Sequence, residues 1–151
     1  MLFDKGVILF NASATDQTEA LTKLASRLRQ VEVVTDQFKN AILKREQNFP
    51  TGLQTATIGV AIPHTDADKV LVPQIGFMQL AKPVIFHQMG DNDEISVHMI
   101  FMLALKQADD QLKMLQTLME LFQNEKAIEQ LQTMSSKTDF IKLMKKIGIE
   151  K

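Results

Sequence analysis

The chain carries no cysteine. Disulfides, a thiolate nucleophile and thiolate metal sites are therefore excluded, and the absence fits a reducing cytosol. Charge of either sign is scarce as a block: 17 Lys and Arg stand against 18 Asp and Glu, for a net charge of −1. No run of Lys or Arg appears before the last turn, so the electrostatic footprint of a nucleic-acid binder is missing. Long hydrophobic runs are absent as well. MLFDKGVILFNAS places Asp4 and Lys5 ahead of a short apolar stretch, which is neither a signal peptide nor a membrane span. The expectation is a cytoplasmic protein without membrane insertion. Gly-Lys-Ser/Thr and GxSxG are absent, which argues against a P-loop and a serine hydrolase elbow. The DNDE run lacks the glycine and distal glutamate of a calcium loop.

What is present reads as one domain over residues 1–151 with ordinary globular composition. Gly6 to Phe10 predicts a short strand. Asp16 and Glu19 have capping-box spacing ahead of the stripe Ala20, Leu21, Leu24, Ala25 and Leu28, which predicts a helix over 16–29. Val31 to Val34 is short and β-branched and leads into a second helix, begun by Thr35 or Asp36 and ending near Arg45. QNFPTG predicts a turn. Strands are expected at Thr57 to Ile62, Gln74 to Leu80, Val84 to Phe86 and Ile95 to Leu105. Helices follow over Asp109 to Gln123, over Ala127 to Leu131, and from Ser136. This order predicts a three-layer α/β/α sandwich with a mixed central sheet.

The most informative stretch is GVAIPHTDADKV, Gly59 to Val70. Pro63 ends an apolar strand, because it fixes its own φ, supplies no donor and holds Ile62 extended. His64 is thus delivered at the carboxyl end of a strand, where open α/β sheets place their ligands. Of the other histidines, His98 in VHMIF is expected at the core edge with its nitrogens satisfied, and His87 is expected to be a polar loop residue. His64, Asp66 and Asp68 alternate as HxDxD, which a metal could use. Pro63 has already ended the strand that would align them, however, and no second ligand motif completes the set. No metal and no other cofactor is expected. Alternatively the histidine is itself the nucleophile. Neutral imidazole attacks phosphorus, and in-line transfer needs donors for the phosphoryl oxygens. Thr51, Thr57, Thr65, local N–H groups and one arginine are candidates.

The pairing of LKREQNFPTGL, Leu43 to Leu53, with IGVAIPHTDADKV, Ile58 to Val70, resembles the fructose/mannitol-type enzyme IIA components of the bacterial phosphoenolpyruvate-dependent sugar phosphotransferase system. REQNFPTG, AIPH without a following glycine, DNDEISV and QLKML are closest to the galactitol branch. The resemblance implies that His64 accepts a phosphoryl group on Nε2 from the carrier HPr and passes it to the cysteine of a separate IIB protein, which acts with a IIC permease. Arg45 matches the family arginine and would stabilise phosphoryl charge, although a cation at a helix C-terminus is equally expected from the macrodipole. Gln111 stands where mannitol-type members carry a second histidine. Asp66, Asp68, Asp91, Asp93 and Glu94 would complement a basic HPr face. Two other readings stay open at this point. One is a nitrogen-type regulatory IIA that signals by phosphorylation-dependent protein binding, and the other is a metal-dependent hydrolase built on His64, Asp66 and Asp68.

Overall fold

Residues 1–150 are described by a computed structural model. In chain order the elements are β1 (Ile8–Ala12), α1 (Gln17–Gln30), α2 (Phe38–Asn48), β2 (Gly52–Gln54), β3 (Gly59–Ala61), a 3-10 turn (Ala67–Lys69), β4 (Gln74–His87), β5 (Glu94–Ala104), α3 (Ala108–Phe122), α4 (Glu125–Thr133) and α5 (Lys137–Lys146). The sheet order is β1-β4-β5-β3-β2. β1 runs parallel to β4 and β3 parallel to β5, whereas the β4–β5 and β2–β3 pairs are antiparallel. The sheet is therefore mixed, as expected.

Two apolar clusters make the three layers. Leu21, Leu24 and Leu28 of α1 and Phe38 and Ile42 of α2 pack on one face of the sheet with Met78, Ile100 and Met102. On the other face Phe77 and Phe101 meet Leu118, Leu131 and Phe140 of the three C-terminal helices. Phe140 lies 4.6 Å from Phe77 and 5.0 Å from Phe3 between ring centroids. Such offset and edge contacts add to the burial of large rings. The alternation of β5 produces both clusters at once, because successive side chains point to opposite faces.

α1 starts where its capping pair predicts: the Asp16 carboxylate accepts from Glu19 N at 2.8 Å. Several boundaries differ. β1 lies two residues later than expected, and α2 spans Phe38–Asn48 rather than starting at Thr35 or Asp36. Val31 to Val34 contributes only a single bridge, Val34 to Val70. The two strands expected at 74–80 and 84–86 are one strand, β4, whose register breaks between Gln79 and Val84. Pro83 sits in that break, where a residue without an N–H costs no ladder bond. The Pro-Thr-Gly turn runs straight into β2, a short edge strand that its turn-like composition conceals. At Gly59 a Cβ would come 2.4 Å from Ser96 O, so only glycine lets β3 approach β5 this closely.

Among the described residues no helix is long and apolar enough to cross a membrane.

Candidate active site

β3 leads its chain into the site. Val60, Ala61 and Ile62 are fully buried, and Pro63 O accepts from Leu103 N at 2.9 Å. The turn after the strand is thereby tied to β5. His64 follows, half-buried, with Nδ1 2.8 Å from Ile62 O. A carbonyl only accepts, so Nδ1 carries the hydrogen and the lone pair stays on Nε2. Burial pushes the imidazole pKa below its ordinary value; the Ile62 bond acts the other way, and the positive charge of Arg45 adds to the lowering. Burial and the Arg45 charge favour the neutral ring, and the Ile62 bond fixes its tautomer.

Arg45 comes from the last turn of α2, with its guanidinium 5.1 Å from the Phe49 ring centroid. Its Nε is buried without a hydrogen-bond partner, and none of the ion pairs among the described residues includes it. A buried donor left unmade is costly, and a cation beside a neutral imidazole suits an anion that arrives later. Arg45 lines a cavity of about 140 Å³ together with Thr65, Asp66, Ala67, Leu105, Gln107, Ala108 and Gln111. The cavity lies at the start of α3, where Gln107 supplies no side-chain cap. The first N–H groups of that helix thus add to the capacity to hold an anion.

The structure brings Arg45, Thr65 and Gln111 to one cavity, and His64, next to Thr65 in the chain, feels the charge of Arg45. The hydroxyls of the other two threonines are not offered to that cavity. Thr51 is buried, and its hydroxyl hydrogen is already given to Glu46 Oε1 at 2.7 Å. Thr57 is exposed and precedes β3, at the opposite end of that strand from His64. Asp91, Asp93 and Glu94 are exposed and stand away from these residues, in keeping with solvated carboxylates, the reading the sequence favours for them over a docking face. They lie where β5 begins, on a turn bonded to β2 through Met89 N to Gly52 O at 2.7 Å, whereas Leu103 near the end of β5 adjoins the site. His98 carries a buried Nδ1 with no partner rather than satisfied nitrogens. His87, expected as a polar residue at a strand end, is the half-buried last residue of β4.

The HxDxD reading fails on geometry. The 3-10 turn breaks the extended spacing, and Asp68 lies 2.6 Å from Lys69 Nζ. Among the described residues no three His, Cys, Asp or Glu side chains converge as a ligand set would.

One residue escaped the sequence reading. Glu46 is 4% exposed and accepts from both Thr51 N and Thr51 Oγ1. Its signal was available: Phe38, Ile42 and Glu46 share a helical face at i, i+4 and i+8, so a carboxylate stands in an apolar stripe. Burial pushes its carboxyl pKa up, the Thr51 bonds opposing.

A nucleophilic Nε2 beside an unpaired guanidinium and an uncapped helix start can take a group bearing anionic oxygens and hand it on. Comparison with known proteins bears on which group. Residues 1–147 match the family described as "Phosphoenolpyruvate-dependent sugar phosphotransferase system, EIIA 2". The galactitol-specific EIIA component of Escherichia coli (strain K12) is 30% identical over 122 residues, 81% of each chain. Mannitol IIA of Escherichia coli superimposes with a TM-score of 0.75 at 23% identity, over 91% of this chain and 94% of that one. The same enzyme in complex with phosphorylated IIB superimposes with a TM-score of 0.78 at 22% identity, covering 97% and 98%. At these identities the structural likeness is one of fold.

Proposed function

The chain belongs to the EIIA 2 family of the phosphoenolpyruvate-dependent sugar phosphotransferase system, and from that premise we propose that it is a phosphocarrier whose acceptor is His64. Phosphorylated HPr is the donor, and the cysteine of a separate IIB protein is the onward acceptor. The IIB partner acts with a IIC permease that takes up and phosphorylates a galactitol-like alditol. The observation that carries this reading is the His64 Nδ1 to Ile62 O contact of 2.8 Å near an arginine that, among the described residues, has no ion-pair partner and a buried Nε left unbonded.

The Nε2 lone pair attacks phosphorus in line, forming a P–N bond as the donor's P–N bond breaks and its electron pair returns to the donor ring. Positive charge develops on the His64 imidazole, and the Nδ1–H···O=C bond disperses it. Arg45 offsets charge on the phosphoryl oxygens, with Thr65, Gln111 and the first N–H groups of α3 as further donors. In the second step a cysteine thiolate attacks the same phosphorus and the pair on Nε2 is restored. No cofactor is needed. The galactitol-specific relative supports the substrate class. The mannitol enzyme solved with phosphorylated IIB supports the partner. Exchange with HPr places the protein in the cytoplasm.

Intact-protein mass after incubation with phosphoenolpyruvate, enzyme I and HPr tests the assignment. One acid-labile phosphoryl group on wild type and none on His64→Gln is expected. A gain on the variant would move the acceptor elsewhere, and no gain on either would end the phosphocarrier reading.

A further inference from the structure

We infer that Glu46 is a positioning residue for His64, holding in place the carbonyl that fixes the imidazole tautomer. This rests on the reading of His64 as the phosphoryl acceptor. The connection is a chain of hydrogen bonds. Glu46 Oε2 accepts from Thr51 N and Oε1 from Thr51 Oγ1, both at 2.7 Å. Thr51 O in turn accepts from Ile62 N at 3.2 Å. Ile62 O then receives His64 Nδ1 at 2.8 Å. The β2–β3 register, Gly52 opposite Ala61, begins one residue beyond this link.

Stability alone does not explain a carboxylate here. Burying one with two hydrogen bonds from a single residue and the charge of His87 as its other support is expensive, and an apolar side chain would extend the Phe38–Ile42 stripe. Burial does push the Glu46 carboxyl upward, as expected of a group kept against its solvation preference. What the position gains is geometry. Arg45 and Glu46 are successive residues, about 100° apart around the helix. Arg45 lines the cavity, and Glu46 grips the Thr51 turn. One turn of α2 therefore sets both the guanidinium and, through Thr51 and Ile62, the imidazole it must serve. A free histidine side chain prefers its hydrogen on Nε2, the tautomer that cannot attack through that nitrogen. Loosening the Ile62 carbonyl therefore removes nucleophile as well as orientation.

The test uses the whole chain with ¹⁵N-labelled histidine, comparing wild type, Glu46→Ala, Glu46→Gln and Thr51→Val. Ring ¹⁵N shifts report the His64 tautomer, and phosphoryl acceptance from phospho-HPr reports the rate. Glu46→Ala is expected to shift His64 toward the Nε2–H form and slow acceptance roughly tenfold or more. Glu46→Gln, which keeps one acceptor oxygen, should recover most of both. A folded Glu46→Ala with wild-type ring shifts and rate would overturn the inference. Should Glu46→Ala fail to fold, Thr51→Val decides: it removes only the hydroxyl donor, must move the ring shifts in the same direction, and overturns the inference if it leaves them unchanged. Failure of wild type to accept a phosphoryl group would remove the phosphocarrier reading, while the ring shifts would still decide the role of Glu46.

Discussion

Two strand ends in this molecule look alike on paper. Each carries a histidine followed by acidic residues: His64 with Thr65-Asp66-Ala67-Asp68 after β3, and His87 with Gln88 to Glu94 after β4. Their hydrogen bonding is opposite. At the second end the polar groups are consumed locally. Asp91 accepts from Asp93 N at 3.0 Å and from Gln88 Nε2 at 2.8 Å, and Gln88 N donates to Asp93 O at 2.7 Å. At the first end Arg45 Nε has no partner, α3 begins without a side-chain cap, and the histidine is fixed through one nitrogen only. The second turn satisfies itself, whereas the first leaves donors open around a ring held in one tautomer, which is what the proposed acceptor requires.

The contrast breaks most decisively at the histidines. His64→Gln should abolish phosphoryl acceptance with the melting temperature nearly unchanged, and His87→Gln should leave acceptance intact. Intact mass and a thermal melt read both, and loss of acceptance in His87→Gln would erase the distinction. Next in size, Arg45→Gln should slow acceptance roughly a hundredfold, the scale of losing one charge-stabilising donor. A wild-type rate there would reduce Arg45 to a helix-end cation. Asp91→Ala should cost about 1 kcal/mol, because two turn bonds go, with no change in transfer. A chemical denaturation curve alongside the transfer assay checks this.

The smallest effect is in pH. His64 is held below the ordinary histidine value by burial, with the Ile62 bond opposing and Arg45 adding. As pH falls the unfolded chain takes up the proton first. The native state therefore loses stability as pH drops below the ordinary histidine range toward the lowered value, and gains nothing more above that range. Acceptance by wild type should hold through mildly acidic pH and fall only lower. His64→Gln should flatten that segment of a melting-temperature series, and an unchanged slope would place the titration elsewhere.

The sequence made some of this legible and concealed the rest. His64 was readable because proline ends a strand by covalent geometry, and α1 because cap and stripe agree. β5 was open to a helix as well, since a continuous apolar run has no period, and only its β-branched start and its neighbours favoured the strand that is found. β2 was hidden, since Thr51 and Gly52 read as turn residues and three residues of edge strand have no periodicity of their own. Thr57 was misplaced because composition does not say which end of a strand faces the site. Thr51 was legible as a candidate for phosphoryl or tautomer support, but its partner Glu46 is known only once α2 is folded against it.

The two chain ends carry a last consequence. The Glu150 carboxylate accepts from Leu2 N and Phe3 N, at 3.0 and 2.9 Å to Oε2, and Leu2 O accepts from Ile75 N. Ile75 pairs with Leu103, whose N–H holds Pro63 O. Residues 2 and 150 thus lie at the same end of the strands as the imidazole, about three strand spacings or roughly 15 Å away. A domain joined to either end by a short flexible linker would be presented to His64 at an effective concentration on the order of millimolar. Covalent tethering would then replace diffusion as the way a phosphoryl partner finds the ring.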